Sequence, residues 1–254
     1  MSNQQPLQDE HVIFTGILRS SEAVDLTLRL GGNPIIAPLI ATQEIMSLDD
    51  QQKLIACYEY DWLIFTSQSS VHAFNSKIKQ YEIDASSFKA KIAVVGSKTA
   101  CAIERLGFHV SFTPTIFSAD VFVKEFPAVS AAHESCLFFK GNRAKNTIVD
   151  GLPNVVDTWT IYETVKVEEN TEQVRTLLES VESCSIIFTS PSIADVFHRN
   201  IGIHTGYERF TICTIGHITK NYLESLGATV QVMPETYTLL DVVNKLGDWK
   251  GRVQ

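Results

Sequence analysis

Five short segments of the sequence place polar side chains where helices are predicted to start, with hydroxyls in four of them and basic residues in the fifth, at 140–143. Each follows an apolar, β-branched run and precedes an amphipathic stretch. The first backbone N–H groups of a helix have no partner within the helix, so together with nearby hydroxyls they can bind a carboxylate or a phosphate. The candidate binding residues in these segments are Thr66, Ser67, Ser69, Gly96, Lys98, Thr99, Lys140, Arg143, Thr189, Ser190, Ser192, Gly216 and Thr219.

The same residue types also have a purely structural interpretation. Serine and threonine are favoured helix N-caps whether or not a ligand is bound. Likewise Lys98, Lys140 and Arg143 are either anion contacts or solvated surface charges. One loop of this kind identifies nothing, but five of them at the carboxyl ends of predicted strands favour an anionic ligand, because ligands of open α/β sheets bind at that edge.

Tyr162 is the candidate for proton chemistry. It lies in an extended segment at 160–165 that we expect to link two domains. A phenol retains its proton at neutral pH, so it can donate a hydrogen bond or a proton to a leaving oxygen. The alternative is a strand tyrosine that only packs on its neighbours.

The elements that position these residues come from an internal repeat. Residues 92–99 match 212–219, and the Leu-Gly pair at 106–107 recurs at 226–227, with a constant offset of 120 residues. This period is far longer than that of a solenoid repeat. The repeat therefore predicts two related domains.

Within each repeat, short buried strands alternate with amphipathic helices. Further strands are predicted at 11–15, 34–37, 109–112, 135–139, 154–157 and 229–232, and helices at 97–107 and 217–227. Alternating strands and helices imply parallel sheets with right-handed crossovers. The predicted fold is α/β, with two related, doubly wound parallel-sheet domains.

The order of these domains along the chain has two interpretations. If segments 38–44 and 159–166 pair as a two-stranded β-ladder, residues 45–158 form a second domain inserted into the first, which comprises 1–37 and 167–254. A linear division near residue 130 is the alternative. Periodicity alone does not choose between them.

Composition excludes several classes of protein. The chain has 254 residues and a net charge of −8, which argues against nucleic-acid binding. Its five cysteines are odd in number and contain no CxxC pair, so we expect neither disulfides nor a zinc site. No signal peptide, membrane span, dinucleotide motif or complete Walker motif is found. We expect a soluble, cytoplasmic protein with no metal, no cofactor and no membrane partner.

Six motifs, in this order and at this spacing, resemble one family. They are Phe65-Thr66-Ser67, Gly96-Ser97-Lys98-Thr99-Ala100, Lys140-Gly141-Asn142-Arg143, Ile161-Tyr162-Glu163-Thr164, Phe188-Thr189-Ser190-Pro191-Ser192 and Ile215-Gly216-His217-Ile218-Thr219. Over residues 11–246 the chain is similar to the uroporphyrinogen-III synthases. The resemblance implies two α/β domains joined by a two-stranded β-ladder, with the second domain inserted in the first.

The resemblance also implies the reaction. The family closes hydroxymethylbilane, a linear tetrapyrrole with eight carboxylates, to uroporphyrinogen III, with loss of water and inversion of ring D. No cofactor is used, and the enzyme acts mainly by positioning the substrate in a cleft between the domains. Transient contact with the preceding enzyme of the pathway is a further expectation.

Residue by residue, the resemblance makes Tyr162 the acid for the departing hydroxyl. Carboxylate contacts are implied for Thr66, Ser67, Thr99, Ser190, Gly216 and Thr219, and a basic contact for Lys140. One position departs from the family: an arginine and a proline often follow the first strand's threonine, whereas here Gly16 and Ile17 do, and the nearest arginine is Arg19. A weakened synthase homologue and a two-lobed anion-binding or sensing protein are the competing interpretations.

The net charge of −8 yields a first prediction for an octa-anionic product. If neutral donors hold the carboxylates while the whole chain repels them, salt screens the repulsion. We expect product affinity, measured by titration, to rise with ionic strength. A steep fall would mean that local cations dominate binding instead.

Overall fold

The apolar runs of the sequence form strands that are buried on both faces. Val12 and Phe14 pack in one side-chain cluster while Ile13 packs in another. A strand covered on both faces has no polar side, which explains why these runs are apolar throughout. In the computed structural model, which describes residues 5–181 and 183–253, the strands are β1 (His11–Phe14), β2 (Asn33–Ile36), β3 (Ile40–Glu44), β4 (Trp62–Phe65), β5 (Lys91–Val94), β6 (Val110–Phe112), β7 (Cys136–Gly141), β8 (Val156–Lys166), β9 (Cys184–Phe188) and β10 (Thr211–Thr214).

Several helices begin where the capping signals predict. The Ser67 hydroxyl accepts a hydrogen bond from the Ser70 N–H at 3.1 Å, and Ser118 accepts one from Val121 at 3.2 Å. The helices are α1 (Glu22–Arg29), α2 (Asp50–Ala56), α3 (Gln68–Gln80), α4 (Ser97–Glu104), α5 (Ala119–Glu125), α6 (Thr147–Gly151), α7 (Glu168–Ser180), α8 (Pro191–Phe197), α9 (Ile203–Thr205), α10 (His217–Ser225) and α11 (Leu239–Val253). None of the helices in the described part of the chain has the length and apolar character that a bilayer span requires.

The chain divides into two units, each with its own sheet. Unit 1 comprises residues up to Ala41 and from Val165 onward, and unit 2 comprises Thr42–Thr164. The sheet of unit 1 has the order β10-β9-β1-β2, and the other sheet has the order β3-β8-β7-β4-β5-β6. The neighbouring strands from β8 to β6 are parallel, as are those of unit 1. The prediction of two α/β domains with parallel sheets is confirmed.

The two units share one strand arrangement with a different chain order. In unit 2 the chain forms β4, β5 and β6 before β7 and β8, whereas in unit 1 β1 and β2 come first and β9 and β10 follow. The pair β7–β4 therefore corresponds to the pair β1–β9. From the two strands of each pair the chain continues to opposite sides of the sheet. Each pair is therefore the topological switch point of its sheet.

One predicted strand is wrong. Segment 229–232 forms only a single parallel bridge, between Cys213 and Val232. The Ile212 N–H of β10 donates to the side-chain oxygen of Gln231 at 2.7 Å. This N–H is therefore bonded to a side chain of the segment and not to its backbone. Pro234 follows two residues after the bridge and has no N–H to extend the pairing.

The predicted linker segments belong to a longer strand pair. β8 runs unbroken from Val156 to Lys166, so it includes the second half of the predicted strand at 154–157 as well as segment 159–166. It neighbours β3, and the pair is bounded by the Ile45 N–H bonded to the Ile161 carbonyl and the Val167 N–H bonded to the Leu39 carbonyl. The chain passes between the units along these two strands.

The repeat offers a matched test of backbone strain. Gly96 and Gly216 occupy equivalent positions before α4 and α10, but Gly96 has φ +99° and Gly216 has φ −169°. Only the first conformation is unfavourable for a residue with a Cβ, so we expect Gly96→Ala to lower the free energy of unfolding by about 1–3 kcal/mol. Urea unfolding of both proteins measures this loss.

Gly216→Ala is the control for this prediction. A Cβ there would lie 3.3 Å from the ring of Tyr237, an exposed side chain that can shift. We expect a smaller loss than at Gly96. An equal or larger loss would show that contact with the ring, rather than backbone conformation, governs these positions.

Candidate functional site

The switch point of unit 2 brings together two strand ends. Ser67 follows β4 and Gly141 ends β7, and these strands are parallel neighbours. Ligands of open α/β sheets bind beyond the carboxyl ends of the strands at such a point, because the connecting loops separate there and leave a crevice. The residues at this edge are therefore the first candidates for a binding site.

Ser67 connects the start of α3 to Tyr162. Its hydroxyl accepts the Ser70 N–H, which caps the helix, and is also 3.1 Å from the Tyr162 hydroxyl, to which it donates. This places a half-buried phenol at the N-terminus of a 13-residue helix. The positive end of the helix dipole favours negative charge on any oxygen held there.

A close approach between Gly141 and Tyr162 fixes the position of the phenol. The register of β7 and β8 shifts between Lys140 and Gly141, so that Gly141 faces Tyr162. A Cβ at Gly141 would lie 2.5 Å from the tyrosine ring and 2.8 Å from its hydroxyl. Only glycine leaves this space to the ring.

Tyr162 lines an open cavity of about 320 Å³ within unit 2. One wall is the end of β3 and another is one face of α3, whose lining residues recur at helical spacing. The lining residues are Thr42, Gln43, Glu44, Ser69, His72, Ala73, Ser76 and Tyr162. The cavity combines a phenol, hydroxyls, an imidazole and a carboxylate.

The structure places the other predicted residues of unit 2 outside this cavity. Thr66 and Lys140 are half-buried at the ends of their strands, and Lys98 and Arg143 are exposed. Thr99 is only 4% exposed. Gly96 precedes α4. The cavity thus gathers Ser69 and Tyr162 from the predicted set, with Ser67 attached through its hydrogen bond.

The switch point of unit 1 is built differently. Thr15 follows β1 and donates its hydroxyl hydrogen to the Ile187 carbonyl of β9 at 2.5 Å. A Cβ on the next residue, Gly16, would overlap the side chain of Thr189. Gly16 therefore leaves room for a threonine from the neighbouring strand end.

Unit 1 has its own pocket, of about 210 Å³, at the starts of α8 and α10. Its lining residues are Thr189, Pro191, Ile215, Gly216, His217, Ile218, Thr219 and Tyr237. The imidazole Nδ1 of His217 is 2.9 Å from the Tyr237 hydroxyl. Of the predicted residues, Thr189, Gly216 and Thr219 meet here, whereas Ser190 precedes α8 and Ser192 lies within it, outside the lining.

A family model identifies the chain. The model described as uroporphyrinogen-III synthase HemD matches residues 21–244. The chain belongs to the uroporphyrinogen-III synthase family. The resemblance inferred from the motifs is confirmed.

Relatives of this synthase family cover nearly the whole chain. A porphyrin biosynthesis protein HemD of Ruminiclostridium josui is 27% identical over 96% of this chain, which spans 49% of that protein. A uroporphyrinogen-III synthase of Synechococcus elongatus is 24% identical over 97% of both chains. The crystal structure of a mutant uroporphyrinogen III synthase from Thermus thermophilus matches with a TM-score of 0.68 at 15% identity, covering 96% of this chain and 99% of that one. This last similarity supports the fold.

Sequence reasoning missed several cavity residues of this synthase-family chain. His72 and Ser76 follow Ser69 at helical spacing, and that spacing was a usable signal. Tyr237 was visible as the repeat partner of Phe117. The β3 residues Thr42, Gln43 and Glu44 lie in the predicted segment 38–44, but nothing in the sequence marked them as cavity residues, because which side chains reach the cavity depends on how β3 lies against β8.

The Gly141–Tyr162 contact predicts that the effect of Gly141→Ala on the free energy of unfolding depends on whether Tyr162 is present. Gly141→Ala should cost about 1–3 kcal/mol of stability, because the new methyl group overlaps the ring. In a Tyr162→Ala background the overlap is gone, so the same substitution should be neutral or stabilise by up to about 1 kcal/mol through reduced entropy of the unfolded chain. Urea unfolding of the four proteins measures the coupling. An equal cost in both backgrounds would contradict the contact.

Proposed function

We propose that this protein is a uroporphyrinogen-III synthase that converts hydroxymethylbilane to uroporphyrinogen III, with loss of water and inversion of the last ring. Membership of the family supports the reaction class. The observation that carries the assignment is the phenol of Tyr162, held by Ser67 at the start of α3 and facing a cavity. This arrangement suits a leaving hydroxyl.

The strand ends of both units suit the carboxylates of the substrate. In unit 1, Thr189, Gly216 and Thr219 meet at the start of α10, whose first N–H groups are donors. In unit 2, Ser67 and Ser69 lie at the start of α3. Neutral donors of this kind hold anions without requiring a basic protein. They would fix the orientation of the flexible linear tetrapyrrole.

Orientation is the main contribution that this reaction needs. A hydroxymethylpyrrole loses hydroxide readily, and the linear chain closes unaided to the isomer in which no ring is inverted. The enzyme must hold the substituted carbon of the last ring against the reactive methylene carbon, so that a spiro intermediate forms, fragments and recloses. Positioning of reactants supplies up to roughly 7–11 kcal/mol in favourable cases.

Tyr162 assists the first step in this proposal. Its hydroxyl donates a hydrogen bond, and then a proton, to the departing oxygen. The dipole of α3 and the Ser67 hydroxyl stabilise the negative charge that develops on the phenol oxygen. General acid assistance of this kind is worth at most about 10²–10⁴-fold.

We also place the protein in the reducing cytoplasm, near the enzyme that supplies its short-lived substrate. Burial raises the pKa of the Cys57, Cys136 and Cys184 thiols to about 12, and it also raises that of Cys213. These thiols stay protonated at neutral pH and pack as small apolar groups. Such cysteines suit a compartment in which thiols stay reduced.

The decisive experiment is to incubate the protein with freshly prepared hydroxymethylbilane and separate the two uroporphyrinogen isomers. Isomer III, formed faster than spontaneous closure, is the expected product. Isomer I alone would contradict the proposal. Binding of the bilane or of product without turnover would favour the anion-binding interpretation.

Substitution of Tyr162 by phenylalanine tests the proposed acid. Because hydroxide can leave unaided, we expect the single-turnover rate to fall by between severalfold and about 100-fold without being abolished. Tyr58→Phe is a matched control: it removes a hydroxyl that bonds to Ser87 in the same unit, at 2.9 Å, outside the cavity. Equal rates for both variants would exclude Tyr162 from the mechanism.

A further inference from the structure

A buried lysine with two carboxylates lies beside the Tyr162 cavity. Lys77 is fully buried and donates hydrogen bonds to the Asp50 carboxylate and, at 2.6 Å, to the Ile45 carbonyl. Its Nζ also lies 3.3 Å from Oε1 of Glu44. One cation thus serves two carboxylates, so the group carries an uncompensated negative charge.

Glu44 is the member of this group that reaches the cavity. Asp50 is fully buried, whereas the Glu44 side chain is 23% exposed and lines the cavity together with Tyr162. Oε1 of Glu44 is buried and has no hydrogen bond among the described residues, since the geometry to Lys77 satisfies charge but not hydrogen bonding. Oε1 thus lies against Lys77, and it is the exposed part of the Glu44 side chain that faces the ligand space.

This carboxylate restricts what the cavity can hold. On the β3 side of the cavity it would repel the acetate and propionate groups of a tetrapyrrole, which leaves the start of α3, with Ser67 and Ser69, to hold them, whereas N–H donors and cations would be attracted to Glu44. A hydroxymethylpyrrole keeps its N–H when its hydroxyl leaves, and it becomes a cation because the bonding electron pair departs with the oxygen. The nitrogen lone pair then spreads this positive charge over the ring. Preorganised charge aimed at such a developing cation lowers the barrier to its formation.

We propose that Glu44 is a further catalytic residue of this cavity, an inference that rests on the proposed function. Its carboxylate accepts a hydrogen bond from the N–H of the ring that loses hydroxide and stabilises the cation formed there. Tyr162, on the same cavity, acts on the leaving oxygen. The two side chains thus divide the charges that separate in the first step.

Atoms and electrons balance in this step. The C–O bond of the hydroxymethyl group breaks, the electron pair leaves with oxygen, and the oxygen takes the Tyr162 proton and departs as water. The ring nitrogen donates its lone pair through the ring, so that a double bond forms between the ring carbon and the methylene carbon. The N–H stays hydrogen-bonded to Glu44. Carbon of the last ring then attacks the methylene group, and the proton released when the final ring becomes aromatic returns to the phenolate.

Glu44→Gln removes the charge and retains the shape. Lys77 keeps Asp50 as a one-to-one partner, so the variant should fold with unchanged stability. We expect the single-turnover rate to fall at least tenfold, while product affinity stays equal or becomes tighter because a repulsive carboxylate is gone. Glu44→Asp, which restores the charge, should recover part of the rate.

Glu104→Gln is the matched control, since it makes the same change on an exposed helix residue of unit 2 outside the cavity. A Glu44→Gln rate within twofold of this control would overturn the role of Glu44. The role of Glu44 would also be overturned if Glu44→Gln lowered product affinity by the same factor as the single-turnover rate, because equal losses indicate a structural or binding role. If the unsubstituted protein forms no isomer III, the proposed function itself fails, and that outcome is distinct from the other two.

Discussion

Burial of parallel strands on both faces is the constraint from which the rest of this structure follows. A strand such as β4, in which Trp62 and Ile64 pack on one face and Leu63 and Phe65 on the other, has no room for polar chemistry along its length. Polar side chains are therefore displaced to the strand ends. Because the strands are parallel, their carboxyl ends lie at one edge, and the hydroxyl-rich loops of each unit collect there.

The two units solve the same packing problem with different chemistry. At each switch point a glycine lets a side chain from an adjacent strand, or from the residue just after one, lie against the backbone. At Gly141 that side chain is Tyr162, and at Gly16 it is Thr189. The related sheets thus place a phenol beside an open polar cavity in unit 2, and a threonine beside a more apolar pocket in unit 1.

The distribution of charge refines the meaning of the net charge of −8. Lys77 is paired internally and is buried, so it is not available to an anionic ligand. Besides the Glu44 carboxylate, the described cavities offer hydroxyls, helix starts and imidazoles rather than clustered cations. An acidic protein of this kind can hold carboxylates locally by hydrogen bonds while its overall field opposes them.

The sequence by itself determined the α/β class, the internal repeat, most strands and the hydroxyl-rich helix starts. These are local features: a buried strand requires an apolar run, and a helix start requires a cap. Only the tertiary structure decided which of these residues meet. The ring of Tyr162 lies against Gly141 because of a register shift between β7 and β8, and Glu44 reaches the same cavity because β3 pairs with β8. A register shift has no signature in either strand. The pairing of β3 with β8 joins segments far apart in the chain and leaves no periodic trace, so the sequence offered it only as one of two interpretations.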